Sequence, residues 1–322
     1  MANPIQQRAL NILLAYDGSQ HAQAAVELVR SLPLPPQSAI TVLGVLIPRE
    51  SSNHAILEAS IAHSIGDLEM QGLIVNSEVM VGDPAETLIN YAEELDPDIV
   101  VVGAKGLRAT LGILLGGVAQ QVVEYANLPV LVVRAPFTGL KRLLLLTDGS
   151  QCSQVAVDYL AGKVSPEGEF LGEHFPLPLD SQVQVMHVLP PAPSPELIAR
   201  NWPLGPDLIP TATFDLQYEK ERLEEEETIG QNLVNNTVTR LQLAGITSNG
   251  IVKRGDAATE IIEYVKTNQI DMIIAGSRGL SQVRSWWLGS VSRKLVHYAG
   301  CSVLVVKGMP HCFSRPEIEK LD

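Results

Sequence analysis

Apolar residues along this chain gather into short unbroken runs, separated by stretches that are apolar only at every third or fourth position. ILLAY (12–16), TVLGVL (41–46), DIVVVG (98–103) and PVLVVR (129–134) are continuous and rich in β-branched residues, the pattern of strands covered on both faces. AQAAVELVRSL (22–32) and ETLINYAEEL (86–95) lie between them with helical periodicity. Strict alternation of the two kinds of segment predicts a doubly wound α/β sheet with parallel strands and right-handed crossovers. In such sheets ligands gather outside the carboxyl ends of the strands.

The pattern occurs twice. NILLAYDGSQHAQAAVELV (11–29) returns as RLLLLTDGSQCSQVAVDYL (142–160), and VGDPAETLINYAEELDPDIVVVGAKG (81–106) as RGDAATEIIEYVKTNQIDMIIAGSRG (254–279). TVLGVL (41–46) pairs with QVMHVL (184–189), and ANLPVLVVR (126–134) with AGCSVLVVK (299–307). The chain therefore reads as two tandem five-stranded domains, 1–137 and 138–308, followed by a tail at 309–322. The back halves keep one length: 21 residues separate Gly82 from Gly103 and Gly255 from Gly276. The front halves differ, because repeat two carries extra residues on either side of its second strand. One insertion, 189–214, has seven prolines between 190 and 210 and reads as stiff and extended; a long helix at 215–244 follows it. The acidic run Glu224 to Glu227 in that helix is expected to be a solvated face.

Composition narrows the function classes. A formal charge of −13 with no dense Lys/Arg run excludes the electrostatic footprint of a nucleic-acid binder. The apolar stretch near the N-terminus is too short for a signal core or a membrane span, so the expected compartment is the cytoplasm. Three cysteines, Cys152, Cys301 and Cys312, are too widely separated for a disulfide framework or a zinc pattern, and His311 beside Cys312 is a weak metal signal. No metal site is expected.

The chemistry concentrates in one loop. GSRGLSQVRSWWLGSVS (276–292) and GAKGLRATLGILLGGVA (103–119) both place glycines at G-x2-G-x9-G after a strand and before a helix. Glycine lets backbone N–H groups approach an anion without a Cβ in the way, and a helix amino terminus adds unsatisfied donors and a favourable dipole. That arrangement suits a polyphosphate. Ser290 follows the last glycine of repeat two where repeat one has Gly117; its hydroxyl serves either a phosphate or the helix as an N-cap. Asp17 and Asp148, in YDGS and TDGS, either meet a ribose hydroxyl, an exocyclic amine or a divalent ion, or shape a turn at a helix start. Lys105 and Arg278, between the paired glycines, either touch phosphates or are solvated, whereas Trp286 and Trp287 align with Ile113 and Leu114 and read as core.

These motifs resemble those of the universal stress proteins: G-x2-G-x9-G-[ST] followed by V-[AST], with a terminal (P/S)VLVV strand. The likeness covers nearly the whole chain apart from the insertions and the last dozen residues. It implies an adenine nucleotide alpha hydrolase-like, Rossmann-like fold that binds ATP, or ADP or AMP, with or without Mg²⁺. Carried over residue by residue, it implies nucleotide contacts from Asp148, Val188, Gly276, Gly279, Gly289, Ser290, Val291 and Ser292 in repeat two. In repeat one it implies Asp17, Val45, Gly103, Gly106, Gly116 and Gly117. Gly117 departs from the motif: it keeps the backbone donors and lacks the hydroxyl, so repeat two is expected to bind more tightly. The resemblance also implies pairing of the two final strands as an intrachain pseudo-dimer, a homodimer of whole chains, and a protein partner in a stress response.

Three functions stay open at this level: a nucleotide-dependent switch, a slow ATPase, and a scaffold that has lost its ligand. No Walker G-x4-G-K-[ST] occurs and no general base is assignable, so efficient turnover is not expected and no catalytic residue is named. The insertion leaves the second strand beside the expected adenine pocket, where it is either a lid bearing Trp202 or a passive loop.

Overall fold

The computed structural model describes residues 9–69, 72–107, 114–164, 170–171, 175–192, 212–279 and 288–307. Repeat one runs β1 (Asn11–Ala15), α1 (Gln20–Ser31), β2 (Ala39–Leu46), α2 (His54–Glu69), β3 (Ile74–Val81), α3 (Pro84–Leu95), β4 (Ile99–Gly103), α4 (Gly117–Tyr125) and β5 (Val130–Val133). Repeat two runs β6 (Arg142–Leu146), α5 (Gln151–Ala161), a small pair β7 (Lys163–Val164) and β8 (Phe170–Leu171), then β9 (Gln182–Leu189) and α6 (Ala212–Leu243). It closes with β10 (Ser248–Arg254), α7 (Ala257–Asn268), β11 (Met272–Gly276), α8 (Ser290–Tyr298) and β12 (Ser302–Val306).

Each repeat builds five parallel strands, ordered β3-β2-β1-β4-β5 and β10-β9-β6-β11-β12. The halves join where β5 meets β12 antiparallel, Val132 opposite Val303 and Val130 opposite Val305, giving one sheet of ten strands. The two terminal VLVV runs thus pair within the chain. Alternate residues of each strand feed opposite faces: Ile12 and Leu14 pack with α1, α2, α5 and α6, while Leu13 and Ala15 pack with α3, α4, α7 and α8. Both apolar layers continue across the junction. Leu143, Leu144 and Leu145 in β6 are fully buried, each contributing about 1.5–3 kcal/mol by leaving water.

Two cations lock the repeats together. Arg134, just past β5, donates to the carbonyls of Val296 and His297 at the end of α8, 2.8 and 3.1 Å away. Lys307, just past β12, donates to the carbonyls of Glu124 (3.3 Å) and Ala126 at the end of α4. Each repeat thereby satisfies orphan carbonyls and the negative helix end of the other. Burial pulls the Lys307 ammonium down to about 8 against the attraction of Glu124, and lowers Arg134 from its usual range.

The long helix departs from the expectation of a plain solvated face. Glu226 turns inward to Arg254 at 2.7 Å and to Arg222 at 2.6 Å, and Arg254 also reaches the carbonyls of Pro190 and Leu223. Glu224 keeps the expected exposure, paired only loosely with Lys220. The alternating i, i+4 charges stabilise the helix surface by a few tenths of a kcal/mol each, roughly. The greater part of the proline-rich insertion, Trp202 and the tail with His311 and Cys312 lie outside the described residues.

Candidate functional site

The DGS turns set the floor of the site at the carboxyl ends of β1 and β6. Gly18 and Gly149 take φ of +80° and +78°, a conformation that favours glycine, and this turns the chain into α1 and α5. Ser19 and Ser150 cap those helices, accepting from the N–H groups of Ala22 and Ser153, each at 3.1 Å. Asp17 and Asp148 accept the N–H of Ser19 and Ser150 through Oδ1 at 3.0 Å, so the turn chemistry expected of DGS is present in both repeats.

The second oxygen of Asp17 faces the glycine loop. Oδ2 accepts the N–H of Leu107 at 3.0 Å, and a Cβ on Gly106 would lie 2.5 Å from that oxygen. Asp148 Oδ2 stands against Gly279 in the same way. Gly103 and Gly276 serve a different need: a Cβ on Gly103 would meet the backbone of His21 and Ala22 within 2.9 Å, and one on Gly276 would meet that of Cys152 and Ser153. These two glycines let the strand end press against the start of α1 or α5. A sequence scan sees one glycine motif, whereas the fold separates its members into a packing glycine and a carboxylate-facing glycine.

Gly116 and Gly289 close the loop. Their N–H groups donate to the carbonyls of Ala104 and Ser277, both at 2.8 Å, and their own carbonyls start α4 and α8 by accepting from Gln120 and Arg293. Both stand at the N-cap position with no side-chain capping bond. Ser290 is the first residue inside α8, so the N-cap reading of its hydroxyl is corrected: the cap is Gly289. Ser290 is exposed, and its hydroxyl makes no hydrogen bond among the described residues. A Cβ at Gly117, its counterpart, would enter open space. The amides of Gly117, Val118 and Ala119, and of Ser290, Val291 and Ser292, have no acceptor within their own helices. Each site therefore presents three donors at a positive helix end without a competing cap.

The hydroxyl of Ser292, unlike that of Ser290, is engaged within the protein. It is buried and donates to the carbonyl of Gly276 at 2.8 Å, tying α8 to the end of β11; Ala119 fills that position in repeat one. Val45 and Val188 end the second strands, half-buried against the layer of α3, α4, α7 and α8. Neither valine is shown touching the glycine loop; each follows by two residues the carbonyl, Leu43 or Met186, that accepts from Tyr16 or Thr147. Leu114 is 46% exposed, which corrects the core reading of that position; Ile113, Trp286 and Trp287 lie outside the described residues.

The two sites differ in more than Ser290. Tyr16 and Gly44 in repeat one become Thr147 and His187 in repeat two. Leu57 and Ile61 of α2 cover Gly44, whereas His187 lies under Gly230 of α6 and its Nδ1 is 2.8 Å from the Thr147 carbonyl. His21, the second residue of α1, accepts the N–H of Ala135 through Nδ1, and burial above all lowers its pKa. Its repeat-two counterpart is Cys152, half-exposed. Sequence reading missed Arg134 and Lys307, although the shared position of a cation after each VLVV run is visible in the repeat alignment.

Among the described residues no three His, Cys, Asp or Glu side chains are grouped to hold a metal ion, and no helix is long and apolar enough to cross a membrane.

The family model for the universal stress protein family matches residues 9–134 and again 139–307. A universal stress protein of Mycolicibacterium smegmatis is 26% identical over 322 aligned positions, covering 92% of this chain and 96% of that one. The universal stress protein MJ0531 of Methanocaldococcus jannaschii is 29% identical over 128 residues, 40% of this chain and 72% of its own length. The crystal structure of a universal stress protein from Archaeoglobus fulgidus superposes with a TM-score of 0.55 at 17% identity, over 92% of this chain and 98% of that one, and so shares its fold. With its motif, strand order and family model each present twice, the chain belongs to the universal stress protein family and carries two family units in tandem.

Proposed function

We propose that the protein binds an adenine nucleotide at two unequal sites and acts as a nucleotide-dependent regulator read by a protein partner. The observation that carries this reading is the pair of uncapped helix ends at α4 and α8. Each stands at the carboxyl edge of the sheet, beside a loop braced by Asp17 or Asp148. The residues present fit a polyphosphate: open space at Gly117, a Ser290 hydroxyl with no hydrogen bond among the described residues, and three amides at each helix start with no acceptor within the helix. In this reading Ser290, Val291 and Ser292 supply N–H groups to the phosphates of site two, and Gly117 and its two successors supply those of site one. Asp17 and Asp148 each keep acceptor capacity for the nucleoside, since a carboxylate offers about four lone-pair sites. Val45 and Val188 line the adenosine side. A Mg²⁺ ion would arrive on the phosphates themselves.

On the phosphate side the sites differ by the Ser290 hydroxyl, which adds one charge-assisted contact worth about 1.5–3 kcal/mol. Mass spectrometry of the supernatant from denatured, freshly purified protein tests the reading. Retained ATP supports a switch. ADP together with magnesium-dependent phosphate release supports a slow ATPase instead, and an empty protein that takes up no added nucleotide supports a scaffold.

A further inference from the structure

We propose that Arg134 and Lys307 couple the two sites, so that a nucleotide in one tightens binding in the other; the inference rests on the nucleotide reading above. Arg134 spans both. Its Nη1 donates to the Leu114 carbonyl at 2.7 Å, two residues ahead of the Gly116 cap of site one. Its Nη2 holds the last carbonyls of α8, the helix whose amino end is site two. A planar guanidinium can satisfy both sets at once from a fixed fork, which an ammonium cannot do. Lys307 makes the return connection, capping the carboxyl end of α4, whose amino end is site one. Arg293 in α8 reinforces it, 3.6 Å from the carboxylate of Glu124 in α4.

The physical link is the order of these shared groups. A phosphate at the start of α4 fixes residues 114–117, and with them the carbonyl that anchors one arm of Arg134. The other arm then holds the end of α8 more firmly, and less ordering remains to be done when a phosphate reaches the start of α8. The cation at the carboxyl end and an anion at the amino end each sit at the complementary pole of the same helix. Reciprocity follows: whatever factor site one imposes on site two, site two imposes on site one. Arg134 and Lys307 touch neither nucleotide in this scheme; they are positioning residues.

The test titrates the full chain with ATP by calorimetry, with native mass spectrometry counting bound nucleotides. Gly117→Leu, whose Cβ enters open space, places a bulky side chain at the start of α4 to obstruct site one. The expected result is that site-two affinity falls about five-fold when site one is obstructed, and that this fall disappears in an Arg134→Gln background. Arg134→Lys, which keeps the charge and cannot span both carbonyl groups, is expected to lose the coupling as well and serves if Arg134→Gln does not fold. A Gly117→Leu chain that binds one nucleotide, at site two and with unaltered affinity, or a fall of the same size without Arg134, overturns the coupling and leaves the nucleotide reading intact. Failure to bind any ATP overturns both.

Discussion

Ser290 and Ser292 are two residues apart in α8, and they separate ligand binding from stability. Ser290 is exposed at the first helical position, and its hydroxyl bonds to nothing among the described residues. Ser290→Ala therefore removes no hydrogen bond among the described residues, and alanine is the better helix former by up to about 0.7 kcal/mol. The loss falls on the bound phosphate alone: about 1.5–3 kcal/mol for a charge-assisted hydrogen bond, a ten- to hundred-fold weakening of site two. Ser292→Ala does the reverse. It deletes a buried bond of 2.8 Å to the Gly276 carbonyl, costing about 1 kcal/mol and lowering Tm by roughly 2–4 °C. Calorimetric titration with ATP beside thermal unfolding resolves the two, and Gly117→Ser should strengthen site one by a factor comparable to the loss at Ser290→Ala. The reasoning is refuted if Ser290→Ala binds ATP as the unaltered protein does, or if it lowers Tm as far as Ser292→Ala.

Three further outcomes follow from the same geometry. Gly103→Ala drives a Cβ to 2.8 Å from the His21 backbone and should destabilise by about 1–3 kcal/mol in urea unfolding, while Gly117→Ala, facing open space, should cost nothing. Lys307 titrates near 8 in the folded chain against 10.5 when unfolded, so between those values the unfolded chain holds the extra proton and stability rises with pH. The burial cost is fully present below pH 8 and is relieved toward 10.5, an increment of up to about 3 kcal/mol. Urea unfolding at pH 7.5 and 9.5 should show about 2 kcal/mol of that gain in the unaltered protein and none in Lys307→Met. Arg254→Met breaks the contacts to Glu226, Pro190 and Leu223 and should cost about 2 kcal/mol, read as a shift of the urea midpoint.

Much of the fold is legible in the chain because strands covered on both faces must be continuously apolar. ILLAY, DIVVVG and PVLVVR therefore stand out, and duplication confirms each against its copy. Pairing of the two VLVV runs came from the family resemblance; the antiparallel register is a property of the assembled sheet. The site was legible only as a motif. Its glycines share one spacing yet answer to three constraints, helix backbone at Gly103, a carboxylate at Gly106 and a closing hydrogen bond at Gly116, and these become distinct only once α1 and β4 are adjacent in space. The exposure of Leu114 and the inward turn of Glu226 escaped for a related reason: periodicity assigns a residue to a helix face or an apolar class, while its partner, Arg254 for Glu226, is brought by a different element. Arg134 and Lys307 look like ordinary strand-end cations until the antiparallel junction carries each to the other repeat's helix.

The central claim is that two nucleotide sites are unequal because only one carries a phosphate-facing hydroxyl, that of Ser290, and native mass spectrometry of the full chain across an ATP titration, repeated with Ser290→Ala, tests it most directly. The account predicts two bound nucleotides in sequence, the first lost to Ser290→Ala at low ATP and the second retained. Uptake of no nucleotide, or two equivalent steps that Ser290→Ala leaves unchanged, would contradict it.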